Sequence, residues 1–413
     1  MFTLLYIALA VLLIAQLAYP FLSALAHQLL GREHLPRTKG HSSLNTPTLQ
    51  HPNHSNYACI ITAYKNATIA KPLVHSLLQQ RYPHFHIYLV ADECPEVALG
   101  ITHEQLSFLK PDPPLRLKAK SILYAIERFQ QPHNYIAIFD ADNLAHPDFL
   151  SEIDRYAQAG HVCIQGQRTA KNLDTTYAAL DSMGEHYKNY LERYLPYRLG
   201  SSSVISGSGM ATEAGLYKAY LASPEIEQGK HQWKKMLQED KILQNFILRK
   251  NLKIAYARQA VVYDEKVETG QAVETQRSRW LFSYFQNLPN SLDLMRRGIL
   301  SLSWNQFYFG FITAALPMFL QVAVGGALFL LGLLINPVWA LVLLAALFLF
   351  ALSVPLLLWL DGAPAPIWQA LVKVPLFVGR QFLGLFKMRN PNKNFKHTEH
   401  RKLVSVEDVM KKD

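Results

Sequence analysis

The chain reads as an α/β domain with a mixed, largely parallel sheet, framed by transmembrane and interfacial helices. Three observations predict this. Short apolar runs alternate with helical stretches between residues 57 and 273, apolar blocks free of Asp, Glu, Lys and Arg flank that region, and only 17% of residues are charged. Soluble proteins carry about 25% charged residues, so part of this chain belongs in lipid. Apolar strands that alternate with helices pack as a sheet covered by those helices.

The first apolar block, Met1 to Leu30, has no formal charge, and about 20 apolar residues span a bilayer. Ala24-Leu25-Ala26 resembles a signal-peptide cleavage site, but the basic stretch that opens such a signal is missing. Residues 1–30 are therefore expected as an uncleaved anchor. The second block, Gly298 to Leu360, is also charge-free and is interrupted by Asn336-Pro337, which predicts a transmembrane hairpin over 301–360. Arg32, Arg37 and Lys39 follow the first span, Arg296 and Arg297 precede the second, and a basic tail follows the third. The positive-inside rule then places the middle region in the cytoplasm and the N-terminus outside, in a multi-pass protein of the bacterial inner-membrane kind.

Residues 361–388 are apolar but contain Lys373, Arg380 and Lys387. A charge at the membrane centre costs roughly 2.5–3.5 kcal/mol, so this stretch is expected as an amphipathic helix lying on the surface. Residues 31–56 read as a linker and 389–413 as a basic cytosolic tail. The net charge of +10 gathers beside the apolar segments, which points to anionic lipid and not to nucleic acid. Three cysteines, Cys59, Cys94 and Cys163, without CxxC spacing, suggest neither a disulfide framework nor a zinc site.

Within 57–273, strands are expected at 58–62, 87–91, 135–139 and 162–166. Helices are expected at 69–80, 119–129, 147–159, 175–194 and 238–249. Ligands of open α/β sheets sit beyond the carboxyl ends of strands. Those ends carry Thr62-Ala63-Tyr64, Asp92-Glu93 and Asp140-Ala141-Asp142. Paired carboxylates after a buried strand suit a hard divalent cation shared with substrate phosphates. Lys118-Ala119-Lys120-Ser121, Gly207-Ser208-Gly209, Gln238-Glu239-Asp240 and Gln276-Arg277-Ser278-Arg279-Trp280 follow in order.

Taken together, these motifs resemble the membrane-bound family 2 glycosyltransferases of GT-A fold, which include cellulose, chitin, hyaluronan and poly-N-acetylglucosamine synthases. The resemblance covers residues 57–280 and extends to the flanking spans. It implies that Thr62, Ala63, Tyr64 and Asp92 meet the nucleotide, with Asp92 on uracil, while Lys120, Asp140, Gln276 and Arg279 hold the rest of the donor. It implies Mg²⁺ or Mn²⁺ on Asp140 and Asp142, and an acceptor sugar near Gly207, Ser208, Gly209 and Trp280. Asp240 would be the general base of an inverting transfer, which needs a carboxylate to take the acceptor proton. Residues 274–300 would form an interface segment carrying the Gln-x-x-Arg-Trp motif.

The chain departs from the family pattern in places. Lys65-Asn66 stands where Asn-Glu is frequent, Gln238 replaces Thr, and no Gly follows Trp280. The expected function is transfer from a UDP-sugar to a growing polysaccharide with a β linkage; one-step transfer to a membrane lipid is the alternative. A catalytically silent subunit of an export complex is the alternative from another class. Expected partners are the nucleotide sugar, a glycan or lipid acceptor, membrane lipids, and an export partner or a second copy.

Overall fold

The computed structural model describes residues 2–30, 54–232, 238–386 and 402–411. Most of the expected linker and much of the expected tail lie outside these residues. After α1 (Phe2–Leu30) come β1 (Tyr57–Tyr64), α2 (Lys71–Leu78), β2 (Phe85–Asp92), β3 (Leu106–Leu109), α3 (Lys118–Ile126) and β4 (Tyr135–Asp140). There follow β5 (Leu144–Ala145), α4 (Phe149–Gln158), β6 (Cys163–Ala170), α5 (Thr176–Lys188), α6 (Leu195–Arg198), β7 (Met210–Glu213), α7 (Ala214–Leu221) and α8 (Pro224–Gln232). Then come α9 (Glu239–Arg249), β8 (Ile254–Asp264), α10 (Gly270–Leu300), α11 (Trp304–Ala314), α12 (Met318–Ile335) and α13 (Pro337–Asp361). The last elements are α14 (Ala365–Ala370), α15 (Val374–Phe386) and α16 (Val406–Met410).

The strands form one mixed sheet in the order β3-β2-β1-β4-β7-β6-β8-β5. β1 is parallel to β2 and β4, whereas β7 runs antiparallel between β4 and β6. Helices cover both faces, so β1 reads as a continuous apolar run and not as an alternation. Its residues nevertheless divide by period two. Cys59 and Ile61 join Leu73, Leu77 and Phe149 on the α2 and α4 side, while Ala58 and Ile60 join Ile122, Tyr217 and Leu243 on the α3, α7 and α9 side.

The four strands expected from sequence are present, each slightly longer. β3, β5, β7 and β8 were not foreseen. β3, β5 and β7 are too short to show an alternation, and β8 is interrupted by Arg258-Gln259 opposite a register shift at Gly166/Gln167. The helix expected at 175–194 changes after Lys188 into a wider π-helical turn over Asn189–Tyr194.

Among the described residues three helices are long and apolar enough to cross a membrane: 2–29, 318–335 and 337–361. α1 packs on α12 and α13 through Leu13, Leu17, Leu343 and Phe350. The block after residue 300 is thus not a simple hairpin, since α11 precedes its two long helices. Asn336 caps α13, accepting from the Trp339 amide at 3.4 Å. Past α13 the expected single amphipathic helix is broken at a 3₁₀ turn, Leu371–Lys373. Arg380 pairs with Glu274 at 2.9 Å and the Lys373 ammonium donates to Thr176. Those two cations therefore contact protein, while Lys387 lies outside the described residues.

α10 is a single helix of 31 residues that carries the Gln-x-x-Arg-Trp motif on its first turns. Its far half crosses α11 almost at backbone contact. A Cβ on Gly310 would lie 2.6 Å from the Ser291 carbonyl, and one on Gly298 would lie 2.3 Å from the Phe307 amide. Overpacking such a crossing costs about 1–3 kcal/mol or more. Gly310→Leu is accordingly expected to lower the melting temperature in detergent by several degrees; an unchanged melt would show that the helices part without penalty.

Candidate active site

The parallel register brings the strand ends together. Thr62 pairs with Asp140 across β1 and β4, and Tyr64 pairs with Asp92 across β1 and β2. Beyond them lies a cleft of about 1350 Å³. Thr62, Tyr64, Asp140, Asp142, Gly207, Asp240, Gln276, Arg279 and Trp280 line it. Ala63, Asp92, Lys120, Ser208 and Gly209 are not among its lining residues.

Asp140 leaves the end of β4 half-buried, and Lys118 meets it: the ammonium lies 2.6 Å from Oδ1, donates to the Gly207 carbonyl at 2.9 Å, and stands 3.8 Å from Glu239. Burial pushes the Asp140 carboxyl up, but Lys118 and Arg168 outweigh it and hold the group below its ordinary value. Burial likewise opposes the Lys118 charge, yet Asp140 and Glu239 keep its pKa raised. Lys118, not Lys120, is the lysine of this motif that faces the cleft. Adjacent positions i and i+2 fall on different helix faces, and Lys118 shares its face with buried Ile122 and Ala125. That periodicity was the available signal.

Of the Gly207-Ser208-Gly209 loop only Gly207 lines the cleft. Gly207 and Gly209 adopt φ of +83° and +61°, a region costly for residues with a Cβ. A Cβ on Gly207 would sit 3.7 Å from that of Asp240, so the loop touches the first turn of α9. Gln238 enters α9 in a left-handed conformation and bonds to Gln286, while its Oε1 accepts from Ser283 at 2.6 Å. The residue standing where the family has Thr thus fastens the Asp240 turn to α10.

Asp92, expected on the nucleotide base, is buried at the end of β2 outside the cleft lining. Its carboxylate accepts the amides of Leu115 and Arg116 at 2.7 and 2.6 Å, which holds the segment leading into α3. Arg168 also lines the cleft and was not anticipated; it donates to the Ser206 carbonyl and pairs with Asp264.

At the opposite wall, Arg277 pairs with Asp181 at 2.6 Å, and its guanidinium lies 4.3 Å from the Trp280 ring centre. The Lys188 ammonium lies 4.9 Å from the same ring. Burial pulls the pKa values of Lys188, Arg277 and Arg279 down. Such cations gain from an incoming anion.

Among the described residues no group of three or more His, Cys, Asp or Glu side chains could hold a metal ion. Asp140 and Asp142 nonetheless fit one kind. Their donors are oxygen only, and Asp140 already draws a cationic group to 2.6 Å. A hard divalent ion held by one or two carboxylates completes its shell with phosphate and water oxygens.

Burial, with Asp240 adding to it and Lys118 opposing, raises the Glu239 pKa above its ordinary 4.5. A raised carboxyl is disfavoured as the anion in the fold, so its charge costs stability above the unfolded value and that cost vanishes below it. Glu239→Gln should therefore melt higher than wild type at neutral pH, with the difference closing below about pH 4. A lower melt at neutral pH would mean that the Lys118 pairing dominates.

Comparison with known proteins places this geometry. A mannosyltransferase from Pyrobaculum calidifontis, solved with GDP-Man and Mn2+, superposes with a TM-score of 0.56 at 14% identity, over 92% of this chain and 98% of that one. S. aureus TarS is a weaker likeness, with a TM-score of 0.37 at 12% identity over 58% of this chain and 40% of that one. No curated protein sequence matches the chain. The family model described as "Glycosyltransferase like family 2" matches residues 52–283. That match spans more than half of the chain, which belongs to glycosyltransferase family 2.

Proposed function

We propose that the protein transfers a sugar, with inversion and formation of a β linkage, from a nucleoside diphosphate sugar to an acceptor hydroxyl at the cytoplasmic face of a membrane. The observation that carries this reading is the sharing of one cleft by Asp140 and Asp142, by Asp240, and by Arg279 and Trp280. The family supplies the donor class, and the GDP-Man and Mn2+ of the Pyrobaculum enzyme are in keeping with it. Uridine as the base rests on the resemblance alone.

Asp140 and Asp142 would hold Mg²⁺ or Mn²⁺, which supplies charge stabilisation for the departing diphosphate. Asp240 accepts the hydroxyl proton while that oxygen bonds to the anomeric carbon and the carbon–diphosphate bond breaks. Lys118, and Arg279 from the far wall, face the negative charge that develops on the leaving group. Gly207, packed against Asp240, leaves room for the acceptor where any side chain would intrude.

Asp240→Asn is expected to retain donor affinity while losing roughly 10²–10⁴ in rate. A variant with the wild-type rate would move the base elsewhere, Glu239 being the neighbouring carboxylate. Excess chelator should abolish turnover, and full activity without divalent metal would overturn the roles given to Asp140 and Asp142. Absence of both transfer and donor hydrolysis in the purified wild type would favour the silent-subunit alternative.

A further inference from the structure

The cleft does not end at Trp280. It continues along walls made by Tyr19 of α1, Phe311 and Ile312 of α11, Leu316, and Met318 and Phe319 of α12. This passage joins a site rich in charged groups to two of the helices able to cross a membrane. We propose that it admits the tail of a hydroxyl-bearing lipid, and that the headgroup hydroxyl of this lipid is the acceptor of the transfer. The inference rests on the transfer reading above and names its acceptor class.

Three features support it. The passage is lined mainly by apolar side chains, with Gln16, Thr313 and Gln321 as its polar members; such a lining suits an acyl or isoprenoid tail better than the many hydroxyls of a glycan strand. The backbone of the passage is also made fit for lipid contact. Helix geometry lapses between α11 and α12 at Ala315-Leu316-Pro317, where the Leu316 amide donates to Gln16 Oε1 at 3.2 Å and its carbonyl accepts from Gln321 Nε2 at 2.7 Å. Irregular backbone at membrane depth persists only where its polar groups are satisfied or line a cavity. Finally, Asp240 lines the other end of the same cleft. A hydroxyl acceptor gives it a proton to take, whereas a lipid phosphate would attack through its own oxyanion and leave it none. In the step, the hydroxyl oxygen bonds to the anomeric carbon, the proton passes to Asp240, and the bonding pair leaves with the diphosphate.

The test uses the full chain in nanodiscs with a nucleotide-sugar donor and three acceptor classes: alkyl glucosides of increasing tail length, an isoprenyl monophosphate, and a soluble oligosaccharide. With the alkyl glucosides, kcat/KM should rise about fourfold for each methylene that the passage covers, and product should partition into organic solvent. Leu316→Trp, which narrows the passage, and Met318→Ala, which loosens it, should each flatten the dependence on tail length with nucleotide affinity unchanged. The second variant serves if the first fails to fold. Independence from tail length, or transfer to the soluble oligosaccharide alone, would overturn the proposal and leave the transfer reading standing; preference for the monophosphate would overturn the proposal together with the hydroxyl acceptor and the proton-accepting role of Asp240. Absence of transfer to every acceptor, with nucleotide still bound, would overturn both the proposal and the transfer reading.

Discussion

The pairing of Lys118 with Asp140 organises the donor side of the cleft. One ammonium joins three parts of the fold: the end of β4 through Asp140, the loop before β7 through the Gly207 carbonyl, and the first turn of α9 through Glu239. Without it, two carboxylate-bearing elements would face each other across a partly desolvated space. Truncating one partner of a buried ion pair costs roughly 3–5 kcal/mol, because the other charge is left uncompensated; here half-burial reduces that figure. Lys118 also forms the first turn of α3, where a cation is unfavourable to the helix dipole. A residue placed against local preference and held there by its partners is what a binding site requires.

The second constraint is mechanical. α10 presents Gln276, Arg279 and Trp280 to the cleft at one end and crosses α11 at backbone contact, through Gly298 and Gly310, at the other. Arg277 ties the same helix to α5 through Asp181, and Ser283 and Gln286 tie it to α9. α5, the Asp240 turn and α11 therefore share one rigid member. Packed elements of this kind transmit displacement and do not absorb it.

Much of this was legible in the sequence. The continuous apolar runs of β1, β2 and β4 announced a sheet covered on both faces, and the carboxyl ends of β1 and β4 carry Thr62, Tyr64 and Asp140, which line the cleft. Asp140, Asp142, Asp240, Gln276, Arg279 and Trp280 all line that one cleft. What escaped was decided by partners distant in sequence. Choosing Lys118 over Lys120 required the phase of α3 against buried Ile122 and Ala125. Arg168 acquires its place only when β6 and β8 pair and Asp264 arrives beside it. Lys373 and Arg380 have the periodicity of a surface helix, but Glu274 on α10 and Thr176 on α5 engage them. Periodicity identifies a polar face; it does not say whether water, lipid or protein will meet it.

The charge arrangement around Trp280 shows why the far wall can hold cations without a matching set of carboxylates. Arg277 pairs with Asp181, which fixes its guanidinium over the indole and offsets part of the cost of burying it. Lys188, from the end of α5, has no carboxylate within ion-pair distance among the described residues, and burial lowers its pKa. The indole face gives it partial compensation, of order 0.5–2 kcal/mol for a desolvated cation over tryptophan. Burial still holds the ammonium below its ordinary value, although Glu192 and Glu185 offset a further part of its desolvation cost. An anionic group in the cleft would relieve it, and so the wall opposite Asp140 attracts negative charge although acidic and basic groups are interleaved throughout the site. Under the proposed function the two walls would give the cleft a direction: donor phosphates would be drawn between Lys118 and the cations about Trp280, and the acceptor would be left the apolar end toward α1 and α12.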